Sequence, residues 1–376
     1  MKWEYKTLDQ LGTVSRGKSK HRPRNDPKLF GGKYPFIQTA DVKNADYYIT
    51  KYSDTYNESG LAQSKLWDKG TLCITIAANI ADTGVLAFPA CFPDSIMGFV
   101  PFEGVANTRF IKYCFDRLQR DCKQISQGTA QDNLSWEKLS TIKFCVPEYK
   151  EQCRIADILS AYDDLIENNQ KQIKLLEEAA QRLYKEWFVD LNFPGHENTK
   201  IVDGVPEGWR RGLLKELISV NYGKDHKKAP DDGNIPVYGS GGLMRKCNKS
   251  LFSGEAVLIP RKGSLNNIMY VDETFWTVDT MFYATMKQPH TAVFVYFFVK
   301  AFDMYSMNIG AAVPSMTAKI LDAMDVVIPD KETLEKFDKR AKVYFNKIKT
   351  LQGQNERLKI ARDLLLPKLM SGEVEV

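Results

Sequence analysis

Cysteine is scarce and shows no pairing pattern in this chain of 376 residues: seven occur, none in a CxxC spacing, beside only four scattered histidines. That excludes a disulfide-stapled scaffold and a structural zinc site of the usual spacing. Long apolar runs are missing too. The longest, around Ala292 to Val299, falls far short of the roughly 20 residues that cross a bilayer. The first ten residues, MKWEYKTLDQ, place no apolar core behind their charges, so no secretory leader and no membrane association are expected, and the expected location is cytoplasmic. Catalytic signatures are equally absent: there is no GxGxxG, HExxH, GxSxG or [DN]PP[YF]. The chain itself is expected to carry no catalytic residue, no metal and no cofactor.

What is present is helical length. From Val146 to Phe188 the chain has no Gly, and no Pro after Pro147. Mostly apolar residues recur there at alternating steps of three and four: Leu159, Tyr162, Ile166, Asn169, Ile173, Leu176, Ala180, Leu183 and Trp187. This is a heptad seam with one polar member, Asn169. A helix from about Glu148 to Phe188 would be roughly 60 Å long and needs a partner to cover its stripe.

The partner comes from an internal repeat. Trp3, Leu8, Leu11, Val14, Gly17 and Lys18 recur 206 positions on as Trp209, Leu214, Leu217, Val220, Gly223 and Lys224. Later residues recur at 182: Gly128 with Gly310, Pro147 with Pro329, Tyr162 with Tyr344, Ile166 with Ile348, Leu176 with Leu358, Leu183 with Leu365. The second copy is therefore 24 residues shorter in its middle. Its helix should begin at Asp330, an N-cap after Pro329. The second seam is Ala341, Tyr344, Ile348, Leu351, Asn355, Leu358, Arg362, Leu365 and Leu369, with Gly353 inside it and a kink expected at Pro367. The two Asn residues fall at non-equivalent layers, since Asn169 maps to Leu351 and Asn355 to Ile173. Residues 150–195 carry a net charge of −3 and residues 331–376 one of +4, which suits helices that pair with each other.

The parts between read as mixed α/β. TLCITIAA (71–78), AVLIP (256–260) and FWTVDTMFYATM (275–286) are β-rich, and Phe30 to Gly32 and Tyr238 to Gly242 are turn signals. The expected divisions are 1–147, a central helix over 148–190, a linker over 191–208 with two Pro-containing turns, 209–329, and a C-terminal helix over 330–376. The pattern leaves sheet topology open.

Two motifs need weighing. Gly12 to Ser19, GTVSRGKS, matches the phosphate-binding pattern GxxxxGK[ST]. A working loop of that kind needs a buried strand before it and a helix after it. Here YKTLDQL has helical spacing, and KHRPRNDPK starts a helix poorly. The second copy has Ile218 and Asp225 at the Gly12 and Ser19 positions. Glu148 to Lys150 could end a nuclease PD…ExK set, but Pro93-Asp94 stands too far away, and Glu148 sits at a helix start. Both motifs read as structural.

The basic residues say more. Arg16, Lys18, Lys20, Arg22, Arg24 and Lys28 crowd one run, with His21 among them, and a flexible run of this kind suits phosphate contact. A solvated loop is its bland alternative. In the second copy Lys224, Lys227 and Lys228, then Arg245, Lys246 and Lys249, then Arg261 and Lys262 are the clusters. Arg reads guanine and Asn or Gln reads adenine in a major groove, so Arg261, Asn79, Gln127 and Gln131 are candidates for base contact.

The stretch from Ser126 to Asp190, SQGTAQDNLSWEKLSTIKFCVPEYKEQCRIADILSAYDDLIENNQKQIKLLEEAAQRLYKEWFVD, resembles the central region of type I restriction–modification specificity (S) subunits. The C-terminal IPDKETLEKFDKRAKVYFNKIKTLQGQNERLKIARDLLLPKLMSGEV resembles that family's distal repeat. The second copy departs by having Val313 to Met316 in place of Gln131 to Leu134. The resemblance implies an α+β chain: two mixed α/β target recognition domains in a tandem pseudo-twofold repeat, separated by an antiparallel pair of long coiled-coil helices. It implies double-stranded DNA as ligand, two methyltransferase (modification) subunits docked on the helices, and restriction/translocase subunits in the full complex. S-adenosylmethionine and ATP would bind those partners only. A helix pair of roughly 40–60 Å is a fitting ruler for two sites about 34 Å, one duplex turn, apart. The alternatives from other classes are a coiled-coil adaptor or scaffold without DNA specificity and, less favoured, a P-loop nucleotide-binding protein using Gly12 to Ser19.

Overall fold

The computed structural model describes residues 3–76, 82–125, 136–307 and 315–376. The chain forms two compact units, Met1–Asn169 with Gly353–Val376, and Gln170–Gln352. The first holds strands β1 (Glu4–Lys6), β2 (Gly12–Arg16), β3 (Phe30–Phe36), β4 (Tyr48–Ile49), β5 (Asp54–Tyr56), β6 (Leu72–Thr75), β7 (Thr83–Leu86), β8 (Ile96–Pro101) and β9 (Phe144–Val146). Its helices are α1 (Leu8–Leu11), α2 (Thr39–Lys43), α3 (Glu58–Ala62), α4 (Thr108–Ile125) and α5 (Trp136–Thr141), and α6 (Tyr149–Phe188) begins in it. The second holds β10 (Ile201–Val202), β11 (Val205–Pro206), β12 (Arg210–Leu213), β13 (Ile218–Tyr222), β14 (Ile235–Gly239), β15 (Gly242–Cys247), β16 (Phe252–Pro260), β17 (Met269–Thr277), β18 (Met281–Met286) and β19 (Asp325–Ile328). Helices α7 (Ala292–Lys300) and α8 (Ala318–Asp322) belong to it, and α9 (Lys331–Ser371) begins in it.

Both units build the same sheet. In the first the order is β2-β8-β6-β7-β4, antiparallel except for the final parallel pair. In the second it is β13-β18-β16-β17-β14, again with a parallel last pair, extended by β15. The registers carry the repeat residue by residue. Glu4 pairs with Val146, and Arg210, which lies 206 further on, pairs with Ile328, which lies 182 further on. Gly12 pairs with Pro101 and Ile218 with Met286, offsets of 206 and 185. Most of the missing length thus lies between β2 and β8, and only three residues of it between β8 and β9.

Alternation along the strands gives each sheet two buried faces. In the first unit Leu72, Ile74, Met97 and Phe99 pack on Phe110, Ile111 and Phe115 of α4, with Leu159 of α6 and Leu366 and Leu369 of α9. Cys73 and Ile96, from the same strands, face Trp67, Leu86 and Phe92 instead. In the second unit Val257, Ile259, Phe282 and Ala284 meet Phe294 and Val295 of α7, with Tyr184 and Trp187 of α6 and Phe337 of α9. The apolar run at Ala292 to Val299 is therefore a helix buried in the second unit's core. Among the described residues no helix is long and apolar enough to cross a membrane.

One local reading gains detail and another needs correction. FWTVDTMFYATM is two strands, β17 and β18, because Met281 N–H bonds back to Val278 carbonyl at 3.0 Å and turns the chain. The glycines after Phe30 do not end a strand. They form an irregularity inside β3, where Gly31 takes a φ of 82° and the pairing with β5 slips. Tyr238 to Gly242 does turn, joining β14 to β15.

The two long helices are 40 and 41 residues. Asp330 caps α9, accepting Thr333 N–H at 2.9 Å and the Thr333 hydroxyl at 2.7 Å, with the Trp209 indole at 3.0 Å. Helical backbone continues through Gly353 and past Pro367 to Ser371, and buried Leu366, Leu369 and Met370 pin that last turn to the first unit's core. No position of either seam is exposed. In the first unit the helices run antiparallel: Asn169 donates its amide to the Asn355 side-chain carbonyl at 2.8 Å, and Arg362 pairs with buried Asp163. The two polar members, displaced under the repeat, therefore meet face to face. Burial is the largest influence on the Asp163 carboxyl and raises its pKa, while Arg362 and the Tyr113 hydroxyl oppose that shift. In the second unit Phe337 packs on Trp187 at 5.8 Å between ring centres, and Arg340 lies over the same indole at 5.3 Å.

Asn169→Leu strands the Asn355 amide in an apolar seam and is expected to cost about 1–3 kcal/mol, whereas adding Asn355→Leu recovers most of it. Denaturant titration of both variants checks this; a double variant no better than the single contradicts it. Burial alone would raise the Asp330 carboxyl, but its hydrogen bonds from Thr333 and Trp209 outweigh burial and hold it low. Its stabilisation is then complete above the ordinary carboxylate range and lost as pH falls through the lowered folded value. Asp330→Ala should cost about 1–2 kcal/mol at neutral pH, with the gap in melting temperature from the parent closing in acid.

Candidate nucleic-acid interface

In the first unit the candidate basic run begins where β2 ends. Gly17 N–H donates to the Ile96 carbonyl at 2.8 Å and Lys18 N–H to the Phe92 carbonyl at 2.9 Å. A side chain at Gly17 would stand 2.3 Å from the Pro93 carbonyl oxygen, so only glycine fits. Gln63, just after α3, accepts Lys20 N–H at 2.6 Å and His21 N–H at 3.0 Å, and the Ser64 hydroxyl donates to the Lys18 carbonyl at 2.6 Å. Arg22 donates to the carbonyls of Ser19 and His21 at 2.7 and 2.8 Å, and Arg24 grips both oxygens of Asp94 at 2.5 and 2.7 Å. Asp26 accepts Lys28 N–H at 3.0 Å and lies 2.9 Å from His21 Nε2. The Lys28 N–H above all, then His21, holds its carboxyl below the usual range.

The run is thus anchored along its length, not the flexible segment its composition suggested. Two of its arginines are used to anchor it. Arg16, Lys18 and Lys20 remain exposed, and among the described residues their charged groups make no hydrogen bond or ion pair. The GTVSRGKS stretch is no phosphate cradle. Gly12 to Arg16 is extended strand, and Gly12 serves close pairing with β8, since a Cβ there would lie 2.3 Å from the Val100 carbonyl oxygen. The next α-helix after it starts only at Thr39.

The second unit repeats the design at β13. Gly223 N–H bonds to the Met281 carbonyl at 3.0 Å, and Lys224 N–H to the Thr277 carbonyl at 2.9 Å. Asp225 accepts Lys227 N–H at 3.0 Å, as Asp26 does for Lys28. Arg245 is turned inward: it pairs with Asp231 and donates to the carbonyls of His226 and, at 2.8 Å, Ala229. Arg261 lies over the rings of Tyr222 and Phe282 at 4.9 and 5.1 Å and donates to the Asp279 carbonyl at 2.9 Å. Lys224, Lys227, Lys246, Lys249 and Lys262 are exposed. Asn79, Gln127 and Gln131 lie outside the described residues, and so does the side chain of Lys228.

Sequence reasoning missed the residues that shape these loops: the neutral Gln63, Ser64 and Trp276, and the carboxylate of Asp94. Nothing in their local sequence marks them. Only the doubled Gly-Lys pair hinted that the backbone there is special.

Two copies of one α/β unit, each with exposed lysines at the same strand end and each sharing both long helices, define a duplicated recognition module. A model described as "type I restriction modification DNA specificity domain" matches residues 1–178 and again residues 206–359. The chain belongs to that family. It is 26% identical to the type I restriction enzyme MjaIX specificity subunit of Methanocaldococcus jannaschii, over all of this chain and 94% of that one. It is 22% identical to the type I restriction enzyme HindI specificity subunit of Haemophilus influenzae, over 64% and 71% of the two chains. The crystal structure of a type I restriction–modification system S subunit from M. genitalium shares the fold, with a TM-score of 0.59 over 98% of this chain and 96% of that one at 19% identity.

Arg245→Ala should loosen the 226–231 segment and cost about 1–3 kcal/mol, through the carbonyls it leaves unpaired. Because its charge is already spent, the salt dependence of duplex affinity should not change. A drop of about 0.9 in that slope would instead make Arg245 a phosphate contact.

Proposed function

We propose that the chain is the DNA sequence-recognition subunit of a type I restriction–modification complex and performs no catalysis itself. The observation that carries this reading is that the family's model falls on the chain twice, once on each repeat. Each unit would read one half of a split target. The units differ in length, between β2 and β8 in one and β13 and β18 in the other, and in where their lysines stand, so the two half-sites differ and the target is asymmetric.

Phosphates are met by exposed cations, which position the protein, while base edges supply the sequence information. Lys18, Lys20, Lys224, Lys246 and Lys262 suit the first task. Arg22, Arg24, Arg245 and Arg261 are better suited to holding the loops that present them. The long helices take the docking role: two methyltransferase subunits, and restriction/translocase subunits in the full complex, would bind S-adenosylmethionine and ATP respectively. A coiled-coil adaptor accounts for the helices but not for lysines left unpaired at the same strand end of both units.

Specificity should move with the units. Replacing residues 1–148 by those of a relative with a different target should change one half of the methylated sequence and leave the other intact. Methylation-sensitive sequencing of DNA from cells carrying the hybrid and its modification subunit reads this directly. An unchanged methylated sequence would falsify the assignment of recognition to the units.

A further inference from the structure

Lys18 and Lys224 occupy one position of the repeat, and packing explains the glycine before each of them but not the lysine. Gly17 and Gly223 must lack a side chain, since a Cβ would stand 2.3 Å from the Pro93 oxygen and 1.9 Å from the Val278 oxygen. Both lysines, in contrast, are exposed, and among the described residues neither ammonium group has a hydrogen bond or ion pair. Any soluble side chain would fill the same space.

The backbone beneath each lysine is nevertheless held on both sides. Its N–H is bonded at 2.9 Å in each unit, to Phe92 and to Thr277. Its carbonyl is covered by a side-chain donor: the Ser64 hydroxyl at 2.6 Å in the first unit and the Trp276 indole at 3.1 Å in the second. Ser64 follows a short helix, while Trp276 stands in a central strand, so the units reach one arrangement through unrelated parts. A donor on the carbonyl also offsets the negative oxygen that would otherwise repel an approaching anion. Fixing the backbone lowers the ordering cost when the lysine engages.

We propose that Lys18 and Lys224 are equivalent contacts to duplex phosphates, one in each unit, and that Ser64 and Trp276 are the positioning residues that hold them. This deepens the DNA-recognition reading and rests on it. The test uses the full chain and a mixed-sequence duplex, with affinity measured across a series of salt concentrations. Lys18→Ala and Lys224→Ala should each reduce the slope of log affinity against log salt by about 0.9, and together by about twice that, while Lys→Arg at either position restores it. Ser64→Ala and Trp276→Phe should weaken affinity several-fold when measured at a temperature where circular dichroism shows each variant fully folded. Each should also blunt the effect of the lysine variant in its own unit and not in the other. A steep slope in the parent chain that survives both lysine changes overturns the contacts, and strictly additive effects overturn the positioning role. A parent chain without salt-dependent duplex affinity would instead remove the DNA reading itself.

Discussion

Each unit depends on its last strand returning to the strand that opens the repeat. β1 pairs with β9 and β12 with β19 in the same register of the repeat, although more than a hundred residues separate the partners. That pairing closes the sheet-bearing segment and ends three residues before a long helix begins. Helix start is therefore set by a backbone ladder as well as by a cap. Loop-closure cost grows only slowly with length, so the middle of a unit can gain or lose residues while this closure stays fixed. The difference between the copies lies there.

The same economy governs charge. Four arginines that composition offered as DNA contacts are engaged by carbonyls or carboxylates of their own unit, and the exposed cations are mainly lysines. A guanidinium with five donors in a planar fork suits bridging of carbonyls and carboxylates, as Arg22, Arg24 and Arg245 do. A lysine is a point charge on a flexible stem, suited to a phosphate wherever it comes within reach. The shape of the loops and the charge they present are therefore assigned to different residue types.

Much of the architecture was legible in the chain. The helix starts, at Tyr149 and Lys331, fell within a residue of expectation, because an uninterrupted heptad pattern and an Asp N-cap are local signals, whereas α9 ends at Ser371 and not at 376. The duplication was legible for a different reason: repetition needs no structural theory to detect. Strand order was not legible, since β-branched runs announce strands but not their neighbours. The run over Phe275 to Met286 even concealed a turn, which Met281 and Val278 make without glycine or proline. The engaged arginines were illegible because a partner such as Asp94 for Arg24 lies 70 residues away.

The sequence alone determined that there are two like units and two long helices, because periodicity, capping and repeat are written in neighbouring residues. It also determined one buried amide in each seam. Tertiary structure decided that Asn169 and Asn355 meet, since only the antiparallel course in the first unit brings non-equivalent layers together. It decided as well which cations remain unspent. A side chain's charge is a property of the residue, but whether that charge is already satisfied depends on what the fold places within three ångströms of it.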